Sequence, residues 1–281
     1  MNLLLRPSLC TLGLVATCLL TACRDEGEAP EPVPTQQYPT LPYRKLTLTE
    51  TFWSDAEPVT LTQQFDCTEG LLTRYTARQS VQASDEVVLL ESTTQLQYQD
   101  SVVTATDDRG NTYRYLLNLQ GYATRCLLNE GSERQRSYTF TYQVNTEQEH
   151  YLTSIVEQLA DGTEHSRLTL DYASYRHLLL TQSVGGATQS FRLTTSPQGE
   201  MPNAAQVPCL FLTERHPLSE HLPALYGKLL GEPGLILVES VEPDGGDPLS
   251  YTYVLDHRGW PIQVTASSSD AGSQTVNYSF E

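Results

Sequence analysis

The chain runs to 281 residues and carries 17 basic against 34 acidic side chains, a formal charge of −17. That balance repels phosphate backbones and anionic headgroups, so it argues against nucleic acid as a partner and against membrane contact through a basic face.

The first segment has the layout of an export signal. Arg6 gives a short positive region, and residues 9–20 form an apolar stretch broken only by small or polar residues. Leu20, Thr21 and Ala22 then precede Cys23, the pattern of a lipobox. On this reading residues 1–22 are a lipoprotein signal peptide that is removed, and Cys23 becomes the acylated first residue. Two or three acyl chains, at about 0.8 kcal/mol per buried CH₂, hold a protein on a membrane stably. The alternative is an ordinary secretory signal with a chance cysteine. No later stretch approaches the ~20 apolar residues of a spanning helix. Residues 23–45, acidic and then rich in Pro, lack any hydrophobic period and read as a solvated spacer. Their early acids Asp25, Glu26 and Glu28 also fit a surface-export signal.

Residues 46–281 read as a single β domain. Tyr113, Tyr115 and Leu117 alternate with other residues, as do Tyr138, Phe140 and Tyr142; Phe191 and Leu193; and Tyr251, Tyr253 and Leu255. Period two places each set on one face of a strand. Between the runs stand Asp107–Gly110, Asn118–Gly121, Ser196–Gly199 and Asp256–Gly259, each an Asp, Asn or Ser three residues ahead of Gly. The side chain accepts a backbone hydrogen bond in such a turn, and Gly supplies the left-handed step back into the sheet. The expected fold is all-β, an antiparallel meander of repeated hairpins forming a curved or twisted sheet. One short helix is expected near 219–230, where Leu222, Leu225, Tyr226 and Leu229 have helical spacing behind Pro223. Its leucines should pack against the sheet as a plug.

Little in the chain points to catalysis. Cys67, Cys126 and Cys209 remain after the leader and Cys23 are set aside, too widely spaced for a redox or metal motif. They read as small core residues, with one pairing left open. The six histidines show no helical metal-binding pair. Glu242, Asp244 and Asp247 lie on a Gly-rich loop without the ligand order of a calcium site. No nucleophile elbow or phosphate-cradling loop is present, so neither metal, cofactor nor enzyme activity is expected. Asp256, His257 and Arg258 look like a catalytic group, yet they occupy one of the recurring turns. Tyr138, Phe140 and Tyr142 form either an exposed aromatic binding face or a buried row.

The unit "YTYVLDHRGWPIQV", with weaker copies in "YRYLLNLQGYATRCLL" and "YTFTYQVNTEQEHYLTSIVEQL", resembles uncharacterised lipoproteins of Bacteroidetes with strand–turn–strand units like the tyrosine–aspartate repeats of Rhs-type proteins. The resemblance is best over residues 138–281. It implies an all-β lipoprotein of the outer membrane or cell surface and carries over no catalytic residue. The role expected first is a non-catalytic binding or scaffold module for glycan or protein, anchored by Cys23. The second is a periplasm-facing carrier of a lipid or other hydrophobic molecule, which needs an apolar cavity. A hydrolase comes last.

Overall fold

Period-two alternation runs through most of what the computed structural model describes, residues 35–281 apart from 55–56, 83–85, 131–133, 175, 198–200 and 270–271. Leu20, Thr21, Ala22 and Cys23 lie outside the described residues. The strands begin with β1 (Lys45–Ser54), β2 (Glu57–Thr68), β3 (Leu71–Gln82), β4 (Glu86–Gln99), β5 (Val102–Asp107) and β6 (Thr112–Leu117). They continue as β7 (Ala123–Glu130), β8 (Arg134–Val144), β9 (His150–Leu159), β10 (Glu164–Ser174), β11 (His177–Val184) and β12 (Ala187–Thr195). After a long excursion come β13 (Val238–Pro243), β14 (Leu249–Leu255), β15 (Pro261–Ser268) and β16 (Gly272–Phe280).

Every strand is antiparallel to its sequence neighbours, as the hairpin pattern predicts. β1 also pairs with β16, Leu46 opposite Phe280 and Glu50 opposite Val276. The sheet therefore closes into a barrel of sixteen strands, which corrects the expected open, curved or twisted sheet. Neighbour pairing reads the same in an open and a closed meander, and the two differ only in a pairing between the ends of the chain. Closure removes both exposed edges.

The inner face is apolar. Tyr115, Cys126, Tyr138, Phe140, Ile155, Leu168, Leu180 and Leu193 all point inward and are buried. A polar row crosses the outer face: Thr141, Ser154, Thr169, Thr181 and Ser190 stand side by side across β8 to β12, with single exposed apolar side chains such as Leu179 and Val254 among the outward residues. Arg74, Arg114, Arg125, Arg167 and Arg192 are exposed on the same outer wall. A bilayer-spanning barrel has the reverse arrangement, an apolar outer band ~25 Å tall in which a mid-depth Arg costs about 2–4 kcal/mol. β5 and β6, at six residues each, are also only about 20 Å long.

The lumen is filled by the described residues between β12 and β13, which leave the wall at what is called the lower end, the end where β1 begins. Their neck is closed by Ser196 N–H to Leu237 O (3.2 Å) and Asn203 N–H to Leu235 O (2.8 Å). Inside the barrel they form α1 (Leu210–Thr213), a 3₁₀ turn over Leu218–His221 and α2 (Leu222–Tyr226). The expected helix is thus shorter than residues 219–230. Pro223 sits in its first turn as foreseen, and Gly227 caps its C-terminus. The plug meets the wall on several sides. Tyr226 stacks on Phe65 of β2 at 4.1 Å, and Phe211 packs on Phe191 of β12 at 5.0 Å. Leu229 O accepts the Ala123 N–H of β7 at 2.7 Å.

Residues 35–44, expected as spacer, lie against the lower-end turns instead. Gln37 N–H bonds Leu119 O (3.1 Å) and Leu41 N–H bonds Gly70 O (2.8 Å). The Tyr38 hydroxyl bonds Asp100 O (2.5 Å), and Leu41 and Tyr43 are buried. Two apolar side chains with somewhere to go outweigh the solvating effect of the prolines around them.

Candidate functional site

Two features of the lumen offer chemistry: a charged cluster toward the upper end and a cavity open at the lower end. The cluster centres on Glu157 of β9. Strand alternation puts this residue in phase with Ile155, so its carboxylate points inward, and its side chain is wholly buried. Oε1 takes the Arg136 guanidinium of β8 at 2.9 Å. Oε2 accepts Ser166 Oγ of β10 at 2.6 Å and His216 Nε2 of the plug at 2.8 Å. His216 Nδ1 reaches Glu220 at 3.2 Å, and the Tyr138 hydroxyl donates to Glu220 Oε2 at 2.6 Å. The cluster therefore ties the inner end of the plug to three adjacent strands.

Burial alone would raise the Glu157 carboxyl, but the bonds from His216, Ser166 and Arg136 outweigh it and hold it at about 2. Hydrogen bonds to Glu157 and Glu220 push His216 up to about 9. His216 is thus an imidazolium with both nitrogens engaged, and no lone pair remains to activate Ser166, whose proton already points at Glu157. Next to it, His221 is fully buried among Tyr113, Tyr115, Tyr138 and Phe140. Burial lowers it to about 4, so it stays neutral, with Nδ1 bonded to the Tyr115 hydroxyl at 2.9 Å.

Glu157, His165 and His216 bring one ligand atom each within 4.8 Å of one another, the spacing a metal ion requires. Glu157 and His216 are already bonded to each other at 2.8 Å, and a guanidinium lies on the same carboxylate. The arrangement is that of an ion-pair network.

The cavity has a volume of about 510 Å³ and lies between the plug and the wall formed by β9 to β12 and β14 to β16. Leu152, Leu170, Leu193, Leu225 and Val264 line its depth. Two of the lining tyrosines have their hydroxyl protons engaged by backbone: Tyr172 donates to Leu152 O (3.1 Å) and Tyr253 to Val238 O (2.6 Å). The mouth lies at the lower end, where Gln143, Ser174, His177 and Leu235 are exposed. A concave apolar site with a few polar groups at its rim is the form that small-molecule pockets take.

The residues singled out from sequence fall as follows. Tyr138 and Phe140 are buried and Tyr142 faces the same way, its hydroxyl on Ala123 O at 2.6 Å, so this row is no exposed aromatic face. Cys67, Cys126 and Cys209 are all free thiols, with Cys126 buried in the core. Asp256 Oδ1 accepts the N–H groups of Arg258 (2.8 Å) and Trp260 (3.0 Å), while the Arg258 guanidinium lies over the Trp260 ring at 3.9 Å. His257 is exposed, so the apparent triad is the tip of a hairpin. Sequence reasoning missed Glu157, although an acid in phase with Ile155 on an otherwise apolar row was a signal for it. The cavity left no such mark, because its leucines repeat like any core leucines.

Comparison with known proteins gives a consistent picture. A porin-like protein from Bacteroides uniformis ATCC 8492, solved by crystallography, matches with a TM-score of 0.83 and 39% identity, over 89% of this chain and all of that one. A porin-like protein from Bacteroides vulgatus ATCC 8482 matches at a TM-score of 0.52 and 10% identity, over 85% of this chain and 98% of that one, which shows the fold alone. No curated protein matches the chain. The family model for a domain of unknown function (DUF4595) with porin-like fold matches residues 65–263, and the chain belongs to that family.

Proposed function

We propose that this protein is a lipoprotein of the outer membrane or cell surface, anchored through Cys23, whose barrel binds a hydrophobic small molecule and conducts nothing. The observation that carries the binding role is the cavity of about 510 Å³ with an apolar depth and a rim open to solvent. The outer wall supports a water-borne barrel: its Ser, Thr and Arg side chains suit solvent and would be costly in hydrocarbon. The plug supports a closed lumen. Among the roles expected from sequence, the carrier of a hydrophobic ligand gains ground over the glycan or protein platform, since Tyr138 and Phe140 face inward. The engaged nitrogens of His216 favour a non-catalytic role.

The test is titration with a neutral hydrophobic dye, N-phenyl-1-naphthylamine, whose fluorescence rises on leaving water. The chain from residue 24 onward, which contains the whole barrel, should bind it saturably at one site. Leu178→Trp and Leu225→Trp, which fill the cavity from the wall and from the plug, should each weaken binding at least tenfold. Equal binding by both variants, or none by the parent, would remove the cavity from consideration. The anchor has its own test: a fatty-acid analogue should label the wild type in cells and leave Cys23→Ala unlabelled.

A further inference from the structure

The lower end of the barrel carries both the cavity mouth and the docked residues 35–44. An acyl group on Cys23 is separated from Thr35 by residues 23–34, which reach at most about 3.5 Å apiece. Gln36 and Gln37, next to the point where that tether joins the described chain, are bonded to the turn at Asn118 and Leu119, the end at which the cavity opens.

We infer that the occupant of the cavity is a single-chain lipid taken from the bilayer to which that end is held, its hydrocarbon tail in the lumen and its head at the rim. This rests on the cavity being a binding site. Three observations select the chemistry. The depth is lined by branched aliphatic side chains, which conform to a flexible alkyl chain. Tyr172 and Tyr253 spend their hydroxyl protons on backbone carbonyls, so they offer a ligand ring surface and no donor. A sugar would leave its own hydroxyls unpaired there, at a cost that binding could not recover. At the rim Gln143, Ser174 and His177 are exposed and polar, beside exposed Leu235, which suits a head group in water above an apolar tail. Among the described residues, Glu232 is the one carboxylate lining the cavity. It is held by Lys228 at 2.8 Å and by the Tyr122 hydroxyl at 2.9 Å, so it does not demand a cationic ligand. The volume suits one long tail and is too small for a two-chain phospholipid.

A homologous series of saturated fatty acids should displace the dye, with affinity rising about threefold to fourfold per added methylene, the factor expected for each buried CH₂, until the cavity is full. If the dye binds and no fatty acid displaces it, or displacement is independent of chain length, the lipid assignment fails while the cavity remains a binding site. If the dye itself fails to bind, the cavity reading fails with it. The membrane source is tested by orientation. Vesicles bearing chelator lipids and a pyrene-labelled fatty acid would hold the barrel either by a His tag before Thr35 or by one inserted in the upper-end turn at Asp161–Gly162. Uptake of the label should be several-fold faster with the first attachment. Equal rates would overturn the inference that the mouth draws from the bilayer at the tethered end.

Discussion

Replacing Glu157 by Gln would leave the Arg136 guanidinium and the His216 imidazolium without the carboxylate that lies between them. Breaking a buried ion pair from one side typically costs about 3–5 kcal/mol. Urea unfolding of Glu157→Gln should show a loss of that order. Arg167→Ala, which removes an ion pair on the exposed outer wall, should stay within about 0.5 kcal/mol of wild type. The same cluster sets the pH profile. His216 is raised from 6.5 to about 9, so its stabilisation is complete below pH 6.5 and is lost as the pH climbs toward 9. His221 is lowered from 6.5 to about 4, so the unfolded chain takes up its proton first and stability falls as the pH drops from 6.5 toward 4. Glu157, lowered from 4.5 to about 2, adds a further loss below pH 4.5. Thermal unfolding across pH should therefore peak near 6.5, and His216→Asn should flatten the alkaline limb while leaving the acid limb in place. A variant that kept the full alkaline slope would refute the assignment to His216.

At the scale of elements, the turns show how far local chemistry reaches. Asp107, Asn118 and Asp256 each accept the N–H groups of the residues two and four places on, as their Asp/Asn-x-x-Gly pattern implies. Asn145 makes the same bonds, yet it was illegible because Gln148, at φ 64°, stands where the pattern expects Gly. Ser196 carries the pattern but stands where the chain leaves β12, its N–H bonded to Leu237 O across the neck. The strands were legible because period two is a property of neighbouring residues. The destination of residues 196–237 was not, because Tyr226 meets Phe65 and His216 meets Glu157 across long stretches of chain. The docked N-terminal segment gives a prediction at this scale. Gly121 lies at φ 90°, and a Cβ there would stand 2.5 Å from Gln37 O. Gly121→Ala should push residues 35–44 off the turn. Limited proteolysis should then cut near Tyr43, with a loss of about 1–3 kcal/mol where strain and lost contacts combine. Unchanged protection would show that the segment is held elsewhere.

For the whole molecule, the distribution of polarity decides between a pore and a water-borne barrel. The chain from residue 24 onward should stay monodisperse in buffer without detergent and give no conductance in planar bilayers. Dependence on detergent, or discrete channel currents, would contradict the polar outer wall and the filled lumen together. The closing pair β1–β16 has a consequence in time. Leu46 finds Phe280 only after all the strands between them have been made. Until then β1 presents an open edge ready to pair with another chain. Contacts so distant in sequence make folding slow. The last step is thus set by the final strand, and a chain cut before Gly272 should accumulate with two open edges and aggregate, however complete its plug and its other hairpins.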